Sequence, residues 1–131
     1  MPSDAVVAEP LGILLISGAH ERAHYAFVLA TGAAALGRPV VLFATNAGCR
    51  ALCTDWSGLR EAGRDAAIRA RGVAGIGELR DSAVELGVRL MVCETGLRID
   101  AIEPALLLPG VVVAGVVGFL EAAAGGQIVT L

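Results

Sequence analysis

Short apolar runs that end at glycine alternate along this chain with longer stretches whose apolar positions recur at helical spacing. Leu11 to Ser17 is one such run, closed by Gly18, and it predicts a buried first strand. Residues 20–36 predict a helix, rich in alanine and apolar on nearly every side after His24. Gly37 and Pro39 mark its end, because glycine accepts the left-handed conformation at a helix terminus and proline cannot continue one. Residues 39–45 predict a second strand, so the first three elements form a right-handed βαβ unit with parallel strands.

Farther on, Ile76, Leu79, Ala83 and Leu86 lay one apolar stripe along a helix that Gly87 ends. Glu78, Arg80, Asp81 and Glu85 occupy its other faces. Residues 88–93 predict a third strand, with Glu94-Thr95-Gly96 as the turn after it. A short helix near 103–108 and a strand at 111–114 follow. A helix at 116–124, closed by Gly125-Gly126, and a last strand at 127–131 complete the pattern. Strands interleaved with helices in this way predict one α/β domain over residues 1–131, built in three layers.

The stretch 46–72 breaks the pattern. It holds Arg50, Arg60, Arg64, Arg69 and Arg71, the only tryptophan, and Cys49 and Cys53. It is too long for an ordinary connection, so a surface excursion with some helix of its own is expected there, a candidate lid.

Composition sharpens this picture. The 131 residues are 56% hydrophobic, with a mean hydropathy of +0.72, so a membrane location has to be tested. The longest apolar stretch, Ala105 to Leu120, is shorter than the roughly 20 residues a spanning helix needs, and Pro109-Gly110, Gly115 and Gly118 interrupt it. Met1 to Glu9 shows no basic region followed by an apolar one, so no secretory signal and no membrane partner are expected. The apolar surplus is then expected inside a parallel sheet buried on both faces, or in a subunit interface. The net charge is −3 and every basic residue is arginine, with no basic stripe, which argues against nucleic acid as the main partner. Three cysteines, an odd number, suit free or redox-active thiols in a reducing, cytoplasmic setting rather than a disulfide framework.

Cys93 is the leading candidate for chemistry. In open parallel sheets, reactive groups gather at the carboxyl ends of strands. A thiol placed there faces the positive end of the next helix, which favours the thiolate, the form that attacks sulfur, peroxide or a disulfide. Cys49 and Cys53 follow the second strand, so they leave the sheet at the same edge. If strands two and three are neighbours, either could reach Cys93 as a resolving thiol. Their C-x-x-x-C spacing is not that of a redox motif or of a zinc site.

His20-Glu21-Arg22-Ala23-His24 matches H-E-x-x-H, the zinc metalloprotease signature. Here it opens a helix directly after a first strand, and no later histidine supplies a third ligand. Polar lining of a cleft at the start of the first helix, by Ser17, His20 and His24, is the expected role, with zinc hydrolysis as the minor alternative and no metal or cofactor expected. Gly12 and Gly18 flank the first strand, but no phosphate-binding glycine motif follows them.

Several phrases, in order, resemble the DsrE/DsrF-like family of sulfur-handling proteins. They are His24-Tyr25-Ala26-Phe27, Leu36-Gly37-Arg38-Pro39-Val40, Leu79 to Leu86 and Gly87 to Cys93. Pro109-Gly110-Val111, Ala114-Gly115-Val116 and Phe119-Leu120-Glu121 complete the series, which covers most of the chain outside 46–72. The resemblance implies a five-stranded, mostly parallel α/β/α sandwich that assembles into homo-trimers or hexamers. It implies a sulfur carrier or sulfurtransferase that holds sulfane sulfur as a persulfide on Cys93, with a small sulfur compound or a partner-protein thiol at the other end of the transfer. Glu94, Thr95 and Gly96 would then supply backbone donors and shape, and Arg98 would hold the thiolate or an anionic substrate. The loop departs from the family, which often carries a methionine-rich stretch there. A non-catalytic ligand-binding or assembly module of the same fold is the alternative.

Overall fold

A computed structural model describes residues 8–131; Met1 to Val7, on which most of the reading of the N-terminus rests, lie outside the described residues. Five strands form one sheet: β1 (Leu11–Leu15), β2 (Val40–Ala44), β3 (Arg89–Cys93), β4 (Val112–Ala114) and β5 (Gln127–Thr130). Their order is β4-β3-β2-β1-β5, and every pairing is parallel. Each strand lies where the apolar runs predict it, trimmed by up to two residues at its ends. The central strands are buried on both faces, which is why β2 reads Val-Val-Leu-Phe-Ala without alternation.

The helices are α1 (His20–Ala35), α2 (Arg64–Arg69), α3 (Ile76–Glu85), α4 (Glu94–Ile99) and α5 (Val116–Ala122). They distribute unevenly over the sheet. On one face Ile13, Leu15, Leu42, Leu90 and Val92 meet Phe27 and the alanines of α1, with Ile76 and Ala83 of α3, in the main core. On the opposite face Val41, Phe43 and Met91 form a small cluster with Phe119 of α5 and Ala123 just after it, and the Phe43 and Phe119 rings stack at 5.0 Å. Among the described residues one seven-residue helix covers that face and leaves much of it bare. Val112 on β4 is 54% exposed, and Val116, Val117 and Leu120 on α5 are 53%, 67% and 51% exposed. Among the described residues no helix is long and apolar enough to cross a membrane.

Three sequence expectations need correction. First, Glu94-Thr95-Gly96 is not a turn but the opening of α4, which starts directly at the end of β3. Six residues offer too little periodicity to show a helix. Second, the helix expected near 103–108 is a single 3-10 turn, Pro104–Leu106, begun by proline. Third, 46–72 carries the expected helix of its own, in Asn46–Leu52 and α2, but its first part does not stand off the surface. Its 3-10 helix, Asn46–Leu52, lies across the end of β1, with Cys49, Ala51, Leu52 and the following Leu59 in the main core. Gly48 permits that approach, since any side chain there would strike the Leu15 carbonyl.

Arg80, expected on an outer face of its helix, is the buried counterpart of this packing. Its Nη1 donates to the carbonyls of Ala51 (3.0 Å) and Cys53 (2.5 Å), and its Nη2 to Thr54 (3.2 Å). The carbonyls that end a helix have no partner within it, and one guanidinium can satisfy several of them. It thereby ties α3 to the segment after β2.

Candidate functional site

Cys93 is the last residue of β3 and the N-cap of α4, in extended conformation (φ −76°, ψ 122°). It pairs with Ala114 at the final rung of β3 and β4. Strand alternation puts it on the face of Met91, where it packs against the Phe43–Phe119 cluster beneath α5. Cys93 is half-buried, whereas Cys49 and Cys53 are buried. The first backbone N–H groups of α4 have no acceptor within the helix, and the helix dipole concentrates positive potential at that end.

Gly96 holds α4 in place. A Cβ on it would lie 2.5 Å from the Asn46 nitrogen and 2.5 Å from Thr45 Oγ1, so α4 rests directly on the junction between β2 and the 3-10 helix. Asn46 turns that junction with φ +51°, and Thr45 Oγ1 donates to its Oδ1 at 3.0 Å. Sequence reasoning missed Thr45 and Asn46. The available signal was an asparagine immediately after an apolar run, a residue type that tolerates the left-handed region.

Glu94 and Thr95 are exposed. Arg98 lies one helical turn beyond Glu94 and pairs with it at 3.1 Å; both side chains are mostly solvent-exposed, so the pair contributes at most about 0.5 kcal/mol. Together with Leu97, Ile102, Pro104 and Val113 they line a groove of about 520 Å³, to which Cys93 does not contribute. Arg98 thus pairs with Glu94 in the structure.

The other two thiols sit in the main core, on the α1 and α3 side of the sheet. The sequence condition for their reaching Cys93 is met, because β2 and β3 are neighbours. Cys49, however, is fully buried, and its Sγ donates to the Ala44 carbonyl at 3.7 Å. Burial, reinforced by the charges of Cys93, Asp100 and Cys53, pushes its thiol up to about 12. Cys53 Sγ points back to the Cys49 carbonyl at 3.7 Å. Burial raises this thiol too, against the opposing charges of Arg50 and Arg80.

Ser17, His20 and His24 gather at the end of β1, with β2 standing between them and β3. Ser17 is half-buried, and its Oγ accepts the Ala19 N–H at 3.1 Å. His20 is completely buried, so it lines no open cleft. Its Nε2 meets Asp65 Oδ1 at 2.8 Å, and the same oxygen accepts the Ile76 N–H at 2.9 Å. Burial pushes the Asp65 carboxyl up, but those two hydrogen bonds and the charges of His20 and Arg69 outweigh it and hold it below the ordinary carboxylate range.

His24 stacks on His20 with ring centroids 5.7 Å apart, and its Nε2 donates to the Ala74 carbonyl at 2.9 Å. Both Nε2 atoms of the H-E-x-x-H pattern are therefore spent on protein acceptors. Among the described residues no three His, Cys, Asp or Glu side chains group closely enough to hold a metal ion. The pattern joins α1 to α2 and to the start of α3.

No family model matches the chain, and no curated protein matches it. Two solved structures share its architecture over nearly their whole length. The YchN protein from E. coli is 14% identical, with 94% of this chain and 99% of that chain covered and a TM-score of 0.69. A protein of unknown function, MTH1491 from Methanobacterium thermoautotrophicum, is 17% identical over the same shares, with a TM-score of 0.57. At such identities the likeness is one of fold. The chain has the YchN-like fold, which is the DsrE-like architecture implied by the phrases in its sequence.

Proposed function

We propose that this chain is a sulfur-relay protein that carries sulfane sulfur on Cys93. The observation that carries the proposal is the contrast between its thiols: Cys93 alone is partly open to solvent, at the carboxyl end of a strand and the start of a helix. In the reaction, the Cys93 thiolate attacks the outer sulfur of a persulfide or thiosulfate donor. The donor's S–S bond breaks, its thiolate or sulfite leaves with the electron pair, and a Cys93 persulfide forms. An acceptor thiolate on a partner protein then attacks the outer sulfur, and Cys93 returns to its starting state. Glu94, Thr95 and Gly96 form the first turn of α4, whose backbone N–H groups would lend positive potential to the anionic sulfur at its N-cap.

In the same reading, the bare apolar face around Val112, Val116, Val117 and Leu120 closes a homo-oligomer, a trimer or hexamer. Cys93 lies at the border of that face, so assembly would enclose part of its approach. The test is mass spectrometry of the protein after incubation with polysulfide or thiosulfate. Gain of sulfur on the Cys93 peptide, absent in Cys93→Ser, supports the reading; equal loading of the two proteins rejects it.

The same exposed face favours a second reading, a module that assembles or binds without chemistry. In that case Cys93 gains no sulfur while the oligomer forms normally.

A further inference from the structure

A second cleft, of about 480 Å³, opens between the turn that follows the 3-10 helix and the segment joining α4 to β4. Its size is within the range of small-molecule sites, about 300–1,000 Å³. We propose that this cleft binds a small zwitterion, a molecule with a free ammonium and a free carboxylate on a short apolar body, such as an α-amino acid or a dipeptide.

The walls are built in advance. Thr54 N–H donates to the Leu106 carbonyl at 2.9 Å and Leu108 N–H to the Leu52 carbonyl at 2.8 Å, joining the two sides. Behind them Arg80 holds the carbonyls of Cys53 and Thr54. A binding site that is already ordered loses little entropy on occupation.

The lining has three parts. Ala101, Ile102, Ala105 and Leu106 supply an apolar surface. Arg50 supplies a cation whose own contacts are loose: Nε lies 3.9 Å from Asp100 Oδ2 and Nη2 lies 3.4 Å from the Asp100 carbonyl. Its side chain is 39% exposed, so donors remain for a ligand carboxylate, which a guanidinium can take with two parallel bonds. Asp55 supplies the anion. It is exposed, and one of its oxygens accepts the Ser57 N–H at 2.9 Å, which fixes the carboxylate in the turn. A simple anion would meet Arg50 but be opposed by Asp55, and a simple cation the reverse. A ligand carrying both charges satisfies both groups, and its apolar body covers the alanine and leucine surface on the facing side of the cleft.

Two-dimensional amide NMR of the full chain tests this, with L-leucine, L-leucyl-L-alanine, N-acetyl-L-leucine and L-leucine methyl ester as probes. Leucine or the dipeptide should shift the amides of Ser57, Gly58, Ala101 and Ile102, and the better of the two identifies the source. Both blocked forms should bind at least tenfold more weakly, because each leaves one wall charge unpaired. Arg50→Gln and Asp55→Asn, both surface changes, should each weaken the zwitterion about tenfold, consistent with loss of a charge-assisted hydrogen bond. Cys93→Ser should bind as the wild type does, so the outcome is independent of the sulfur reading. The proposal is overturned if neither zwitterion shifts the cleft amides, if a blocked form binds equally well, or if Cys93→Ser abolishes binding.

Discussion

Cys93 and Ala114 are partners on the last rung of β3 and β4, and that pairing sets the thiol on the same face of the sheet as α5. The main core lies on the other face and contains Cys49 and Cys53. One cysteine therefore stands at the border of an uncovered surface, and two serve as apolar filling. Free cysteine commonly packs as a small hydrophobe. Its chemistry depends on access to solvent and on the thiolate form.

Native thiol reactivity should follow this division. With a small alkylating reagent near neutral pH, Cys93 should label first and Cys53 slowly. Cys49, with no exposed surface and a thiol raised to about 12, should label only on unfolding. Peptide mapping along a time course reads the order, and Cys49 labelling as fast as Cys93 would contradict the burial assigned to it.

Gly96→Ala should destabilise the protein by about 1–3 kcal/mol, since its methyl group meets the Asn46 nitrogen and Thr45 Oγ1 at 2.5 Å and α4 must shift. Gly77, in the first turn of α3, has open space at the same position. Gly77→Ala should stabilise by up to about 1 kcal/mol, because alanine is the better helix former. Urea denaturation of the pair compares them, and equal effects would rule out the close approach of α4.

Acid should weaken the junction of α1, α2 and α3 through Asp65. Its carboxyl is held below the ordinary range when folded, so its contribution is fully present above the ordinary carboxylate pKa and is lost as pH falls through the lowered folded value. Asp65→Asn should cost about 1–3 kcal/mol at pH 7, the scale of hydrogen bonds to a charged group. It should also lose less stability than the wild type between pH 5 and pH 2. Denaturation midpoints across that interval decide it; parallel curves would show that Asp65 is not depressed by folding.

Much of the architecture was legible because buried parallel strands leave continuous apolar runs and glycine closes them. Leu11 to Leu15 and Val40 to Ala44 are such runs, and the Gly37, Pro39 and Gly87 punctuation marked the helix ends. The stretch after β2 was opaque, because its conformation is set by distant contacts. Arg80 satisfies its carbonyls from another helix, and Gly48 matters only against the Leu15 carbonyl. The position of Cys93 at the end of β3 could be read from the run Val88 to Cys93. The destinations of the other candidates could not. His20 became a buried partner of Asp65, 45 residues away, and Arg98 turned to Glu94. Local spacing says nothing of which acceptor a long polar side chain will meet.

Val117→Glu should dissociate the assembly that the bare face around α5 is proposed to close, because a charge would be buried unpaired in an apolar contact. Val117 is 67% exposed in the single chain, so the variant should fold normally. Sedimentation velocity of both proteins reads the outcome. An unchanged sedimentation coefficient, or a wild type that is already monomeric, would remove that face from the account.

A sulfur carrier requires that sulfur reach one thiol and leave it again. The direct measurement is peptide-mapped mass spectrometry of polysulfide-treated protein, before and after addition of a small acceptor thiol, for the wild type, Cys93→Ser and the Cys49→Ser/Cys53→Ser double variant. One added sulfur is expected on the Cys93 peptide of the wild type and the double variant, removed by the acceptor, and none at position 93 of the serine variant. Sulfur that loads onto Cys49 or Cys53 instead, or a Cys93 that stays unmodified in folded protein, would contradict the carrier role of Cys93.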